Sequence, residues 1–348
     1  MDTRNNFFSS IERLLPRITL TYQFSEEAQI CSFPSPLLGA SPQSSATTGE
    51  HGPALLLFTM RFLLPLLIAL GPVAAQAAPP QILLDVARFR NLNKVEKGGE
   101  VEIYVTVPTQ PLTYRQRAPR SFQSAATVTL EILKADGKSA YREVITLRPP
   151  VLTDTTIAIK NPQSFLKRIM LPDGKYTLRG TVRDQYRAAN GETTVEKPLV
   201  VEAPAGVFLT DVVLLSRSAA RSGGDDNFSR GGYRLTRVPG GSYSRGAENI
   251  FFYTEVHNAP AGQLLRVHYH LTTPDGSAAD ADATLTPPSG RPTTVVGQLP
   301  LGPLPDGPFT LFIEVYGGLG NNKLLAGHRV IGERSTAEYA PAGAAVPR

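Results

Sequence analysis

The chain has 348 residues, with 35 Lys and Arg against 30 Asp and Glu, for a formal charge of +5. An apolar share of 41% with 19% charged residues excludes wholesale disorder, and a single cysteine excludes an internal disulfide framework or a cysteine-rich zinc site. There is no tryptophan, which removes the strongest single aromatic anchor for a sugar or a partner.

Residues 1–59 contain no lysine and no clear periodicity, and they run through a Ser/Pro/Thr-rich stretch from Ser32 to Thr48. They are read as a doubtful, disordered N-terminal extension. Met60-Arg61 then opens a short apolar run, Phe62 to Leu70, which leads to Ala75-Gln76-Ala77. A basic start, an apolar middle and an Ala-x-Ala end predict a secretory signal peptide over 60–77, cut after Ala77. Translation is expected to begin at Met60. The apolar run is short and broken by Pro and Gly, so the membrane is met only through this leader, and a secreted or periplasmic protein is expected. The lone Cys31 falls in the extension. Residues 1–77 carry Arg4, Arg13, Arg17 and Arg61 against Asp2, Glu12, Glu26, Glu27 and Glu50, so the remainder has a net charge of +6. That is too mild to indicate a nucleic-acid partner.

From Gln81 onward the apolar period is two. Val101, Ile103, Val105 and Val107 alternate with Glu102, Tyr104 and Thr106; Val128, Leu130 and Ile132 alternate with Thr129 and Glu131. Tyr176, Leu178 and Val182 continue the pattern. Each run reads as a strand with one buried face. Turn signals divide them at Gly98-Gly99, Asp136-Gly137, Asp173-Gly174 and Asn190-Gly191. One short helix is expected around Pro162 to Ile169. Such a pattern predicts an antiparallel sandwich over 81–203.

After the link Ala203-Pro204-Ala205-Gly206 the chain repeats itself. Leu171-Pro172-Asp173-Gly174-Lys175-Tyr176 returns as Leu304-Pro305-Asp306-Gly307-Pro308-Phe309. Val101-Glu102-Ile103-Tyr104-Val105 resembles Ile250-Phe251-Phe252-Tyr253-Thr254, and Asp136-Gly137 parallels Asp275-Gly276. Three matches in one order predict a second sandwich over 207–333. The fold class is therefore all-β, with two tandem immunoglobulin-like antiparallel β-sandwich domains. In such folds a tyrosine at the start of a strand bonds upstream backbone through its hydroxyl, a role open to Tyr176 but not to Phe309. An ordinary hairpin turn with a core aromatic fits equally. Residues 334–348 read as a disordered tail.

The candidate site residues lie in the second repeat. A hairpin through Asn258–Gln263 would pair Phe252 with Tyr269 and Phe251 with His270. Phe251, Tyr253, His268 and His270 would then share an outward, aromatic-rich face suited to docking. Two histidines at i, i+2 can share a metal, but a site needs a third ligand, with Glu255 and His257 on that face at uncertain distance. The plainer reading, an exposed polar strand face with no metal, is preferred. The stretch Ser216 to Gly246 carries Arg217, Arg221, Arg230, Arg234, Arg237 and Arg245 against Asp225 and Asp226. It reads as a long solvated loop, with Arg230, Arg234 and Arg237 as candidates for binding a second chain or an anionic glycan. No Gly-x-Ser-x-Gly, His-Glu-x-x-His or full Gly-x-x-x-x-Gly-Lys-Ser/Thr pattern occurs, so no catalytic residue and no cofactor is expected.

Three stretches carry a family resemblance. They are Leu84 to Arg90 leading to Val101–Pro108, then Leu171 to Tyr176, and then Phe228 to Tyr233 continuing through Val238-Pro239 to Phe252–Asn258. Together they resemble the N-terminal β-sandwich region of the GWxTD-domain proteins, secreted proteins of Bacteroidetes and related bacteria, over most of residues 82–331. The GWxTD domain itself is lacking, since its motif requires tryptophan. The resemblance implies a secreted bacterial protein and transfers no functional residues. The expected role is non-catalytic, as a structural or protein-binding module of the cell envelope whose partner is another envelope protein. Glycan binding, or service as an accessory fragment of an envelope enzyme with a site at the domain junction, are the alternatives.

Overall fold

A computed structural model describes residues 22–23, 78–90, 98–157, 160–189, 191–202, 204–222, 227–244, 246–302, 304–318 and 323–335. The expected leader lies outside them, as do residues 336–348 of the expected tail. The first sandwich is built from β1 (Leu83–Arg90), β2 (Gly99–Val107), β3 (Ala126–Lys134), β4 (Ser139–Leu147), β5 (Gln163–Leu171), β6 (Gly174–Asp184) and β7 (Glu192–Val201). The second uses β8 (Val213–Leu215), β9 (Asn249–His257), β10 (Leu265–Thr272), β11 (Ala278–Leu285), β12 (Thr293–Pro300), β13 (Gly307–Gly317) and β14 (Leu324–Arg334).

The sheets of the first sandwich run β1-β2-β5 and β7-β6-β3-β4; those of the second run β8-β9-β12 and β11-β10-β13-β14, the last also taking Tyr22–Gln23 beside β11, which corrects the expected disorder of the N-terminal extension at those two residues. Each strand therefore corresponds to the one seven places later, and the repeat seen in the sequence is a repeat of topology. All these pairings are antiparallel. The all-β fold with sandwich domains is thus present as expected.

Alternation explains both cores, because successive side chains of a strand point to opposite faces. Val101, Ile103, Val105, Val128, Leu130, Leu178 and Val182 fill the first core. Ile250, Phe252, Val267, Tyr269, Leu311, Ile313 and Val315 fill the second. Phe252 lies directly opposite Gly297 on β12. A Cβ added at Gly297 would lie 2.4 Å from Cζ of Phe252. The glycine is therefore the seat of the ring. Phe309 and Gly332 repeat this cross-strand pairing, with a Cβ at Gly332 falling 2.2 Å from Cζ of Phe309.

The Asp173-Gly174 turn does not close a hairpin. It carries the chain from β5 in one sheet to β6 in the other. There the Tyr176 hydroxyl donates to the Pro172 carbonyl at 3.0 Å, as a tyrosine corner does. Tyr176→Phe is expected to lower stability by about 1 kcal/mol, the net worth of one such bond, in chemical denaturation. An unchanged midpoint would show that water replaces the carbonyl without loss.

Three expectations are corrected. The predicted helix at Pro162–Ile169 is strand β5, which pairs Phe165 with Val105 and Ile169 with Val101. The predicted hairpin through Asn258–Gln263 is an arch: β9 and β10 belong to different sheets, so Phe252 and Tyr269 meet across the core, with ring centroids 5.1 Å apart, rather than along a ladder. The expected tail is corrected at its first two residues: Arg334 ends β14, and the Ser335 N–H donates to the Tyr243 carbonyl at 2.9 Å.

Candidate functional site

The outer face of β2 carries Glu100, Glu102, Tyr104 and Thr106. By alternation it should be wet, yet Glu102 is 0% exposed. On the equivalent strand β9, the outer residues Tyr253, Glu255 and His257 are buried as well. These two faces turn toward one junction. Ala87 and Phe89 of β1 form an apolar cluster there with Val213 and Leu215 of β8, Leu235 and Tyr253. Phe89 meets Tyr253 edge to face at 6.3 Å.

The stretch Ser216–Gly246 builds into this junction. Its short strands Ala220–Arg221, Ser229–Arg230 and Tyr233–Arg234 form a small sheet of their own. The Leu235 N–H donates to the Phe228 carbonyl at 2.9 Å, and that of Val238 to the Leu214 carbonyl at 3.0 Å. The solvated-loop expectation is therefore corrected for its central residues: desolvated carboxylates draw Arg230 and Arg237 inward. Arg237 donates to Glu102 Oε2. Arg230 donates to Glu255 Oε1 at 2.8 Å, to Glu100 Oε1 at 3.0 Å and to Glu102 Oε1 at 3.1 Å. Its guanidinium also lies 3.5 Å from the centre of the Phe89 ring. Arg168 of β5 donates to Glu102 Oε1 at 2.8 Å and to the Ser229 carbonyl at 2.7 Å. Three guanidiniums and three carboxylates thus form one network whose charges balance.

A second clasp lies near the linker. Both Arg88 Nε and Nη2 donate to the Asp211 carboxylate at 2.7 Å, as does the Arg88 backbone N–H. Arg88 Nη1 also donates to the Val200 carbonyl at 2.9 Å. A cavity of about 340 Å³ there is lined by Arg88, Glu202, Asp211 and His328. Burial holds the His328 imidazole below its usual range. A wider groove of about 540 Å³ runs beside Glu100, Arg168, Arg230, Arg291 and Thr294.

The titrations follow from this geometry. Burial opposes the Glu255 charge, but the His257 hydrogen bond and the Arg230 charge prevail and hold its carboxyl below the usual glutamate range. Burial, with Glu255 alongside, raises the Tyr253 phenol well above its usual value, and burial does the same for Tyr243. The proton between Tyr253 and Glu255 therefore stays on the phenol. A carboxylate held by Arg230, Tyr253 and His257 together fixes structure.

A pH dependence with a definite sign is expected. Raised phenols contribute stability that is present below the unfolded tyrosine value of about 10 and is lost as pH rises beyond it. The lowered Glu255 contributes stability that is present above its ordinary value of 4.5 and is lost as pH falls through the folded value. Urea denaturation at pH 3, 7 and 11 should give its highest midpoint at pH 7. Tyr243→Phe should flatten the alkaline decline, since that hydroxyl lies buried against the Leu215 carbonyl at 3.0 Å.

The expected aromatic docking face does not form. Tyr253 is buried under the Ser216–Gly246 stretch and Phe251 is half-buried beside it, whereas His268 and His270 lie on the outer face of the opposite sheet. Arg234 is exposed, and Arg217 donates to Thr236 Oγ1 at 2.8 Å. Around the histidines, β13 sets Glu314 opposite His268 and β11 sets Asp282 there from the other side. Sequence reasoning missed Glu100, Glu102 and Arg168, and placed Glu255 only as a third metal ligand at uncertain distance on the histidine face, whereas it lies in the junction. The available signal was a loop rich in arginine facing strands whose polar positions carry glutamate.

No family model and no curated protein sequence matches the chain. Among solved structures, red sea bream transglutaminase is 10% identical, covering 73% of this chain and 31% of its own, with a TM-score of 0.21. Bacteroides uniformis beta-glucuronidase is 12% identical, covering 68% and 26%, with a TM-score of 0.26. A tetra-tandem repeat from the extending region of a large adhesion protein is 10% identical, covering 74% and 68%, with a TM-score of 0.22. This chain thus spans about a third or less of the two enzymes. Scores at this level carry no argument about function.

Proposed function

We propose that the chain is a non-catalytic, secreted module of a bacterial cell envelope that holds two sandwiches in one fixed relation and binds a protein partner. The observation that carries this reading is the junction: its ionisable side chains are spent on one another, in the Arg230–Glu100–Glu102–Glu255 network around the buried Glu102 and Glu255 and in the more exposed Arg88–Asp211 clasp. Such an arrangement fixes orientation and leaves no poised acid, base or nucleophile among these residues. The envelope location rests on the leader pattern at 60–77, and the GWxTD-type resemblance is in keeping with it. Glycan binding on the Phe251/Tyr253 face loses its platform, because that face is covered.

Purified protein starting at Ala78 would be cross-linked in envelope extract and its partners identified by mass spectrometry. Wild type is expected to capture one partner in stoichiometric yield. Arg88→Ala, which loosens the junction without touching either core, should lose it. Capture of no partner, or equal capture by Arg88→Ala, would overturn the reading.

A further inference from the structure

The outer face of the second sandwich gathers a set of ligands that strand β10 alone does not provide. His268 and His270 project from the same face of β10 and stack at 5.3 Å. The ladder then adds carboxylates on both sides: Glu314 and Asp282 opposite His268, and Asp280 opposite His270. One ligand atom from each of His268, His270 and Glu314 lies within 4.8 Å of the others, the one such grouping among the described residues. Directly opposed residues on adjacent strands hold their Cβ atoms about 5 Å apart, so the backbone fixes this set.

A second observation points to a ligand. Nδ1 of His268, Nδ1 of His270 and Oδ1 of Asp282 are inaccessible to water and make no hydrogen bond. His268 Nδ1 does lie 3.3 Å from Asp282 Oδ1, but without hydrogen-bond geometry. Polar atoms so placed are otherwise costly. The carboxylates are themselves held. The Tyr316 hydroxyl donates to Glu314 Oε2 at 2.9 Å, and Arg266 lies 3.5 Å from Asp282 while stacking over the Tyr316 ring. Phe312 stacks on His270 at 4.7 Å and fixes the imidazole plane.

We propose that His268, His270 and Glu314 form a binding site for a divalent transition metal, zinc above all, with Asp282 as the adjacent carboxylate and Tyr316 as the group that orients Glu314. Two imidazoles and a carboxylate suit zinc, whereas calcium and magnesium call for oxygen-only shells. Ligand distances of about 2.0–2.2 Å place tetrahedral ligand atoms about 3.4 Å apart, so closure needs a shift of about 1–1.5 Å by half-exposed side chains and none by the backbone.

The test is isothermal titration of untagged, chelator-treated protein with zinc chloride alone, and separately with calcium chloride alone. One equivalent of zinc is expected to bind and calcium is not. His270→Ala and Glu314→Gln should each weaken zinc binding at least about tenfold, and Tyr316→Phe about tenfold through the lost orienting bond. Thermal melts without metal should leave Glu314→Gln folded like wild type, and zinc should raise the melting temperature of wild type more than that of Glu314→Gln. No zinc uptake by wild type, or equal uptake by His270→Ala and Glu314→Gln, would overturn the assignment. So would calcium binding in place of zinc.

Discussion

Glu102→Ala should destabilise the protein by about 3–5 kcal/mol, the range for stranding one partner of a buried ion pair. Glu102 is fully buried and receives Arg168, Arg230 and Arg237 at once. Removing it leaves three guanidiniums against Glu100 and Glu255, an uncompensated positive charge in a desolvated junction. The Arg237 guanidinium is already pulled below its usual value by burial, against the charges of Glu102 and Asp85. Urea denaturation of the variant measures the loss. A change under about 1 kcal/mol would mean that the cluster is solvated as exposed pairs are.

Gly297→Val is the other large effect, at about 3 kcal/mol, the upper end of ordinary overpacking. The new Cβ would fall 2.4 Å from Cζ and 2.6 Å from Cε1 of Phe252, and 3.2 Å from Cζ of Tyr269. Phe252 is wholly buried and edge-on to Tyr269, so neither ring can move aside without displacing the other. The loss should appear in the unfolding midpoint. A companion change, Phe252→Leu, should restore part of it by vacating the seat, which the double-mutant cycle would register. A neutral Gly297→Val would show that this core is looser than its packing implies.

These two cases mark what could be read from the amino acids and what could not. Val101, Ile103 and Val105 announced a strand through local alternation, and Leu-Pro-Asp-Gly at 171 and 304 announced the repeat. Alternation reports which residues face the partner sheet of the same sandwich. It carries no signal for a second sandwich covering the other face, so Glu102, Tyr104, Tyr253 and Glu255 read as wet. The β9–β10 connection was misread because its short loop, with Pro260 and Gly262, suits a hairpin and an arch alike. Only the long-range pairing of β9 with β12 decides between them. At 162–169, the spacing of Phe165, Leu166 and Ile169 resembles a helix face, and the ladder with β2 overrides it. The His268/His270 pair was visible, but Glu314 lies 44 residues further on and is brought there by the sheet register.

Leu235, Arg230 and Arg237 make the Ser216–Gly246 stretch a part of the junction. Hydrogen exchange followed residue by residue tests this most directly. The amides of Leu235 and Val238, bonded to Phe228 and Leu214, should be protected to the same degree as that of Tyr253 in β9. Exchange of Leu235 and Val238 at the rate of an unstructured chain, with β9 still protected, would contradict it.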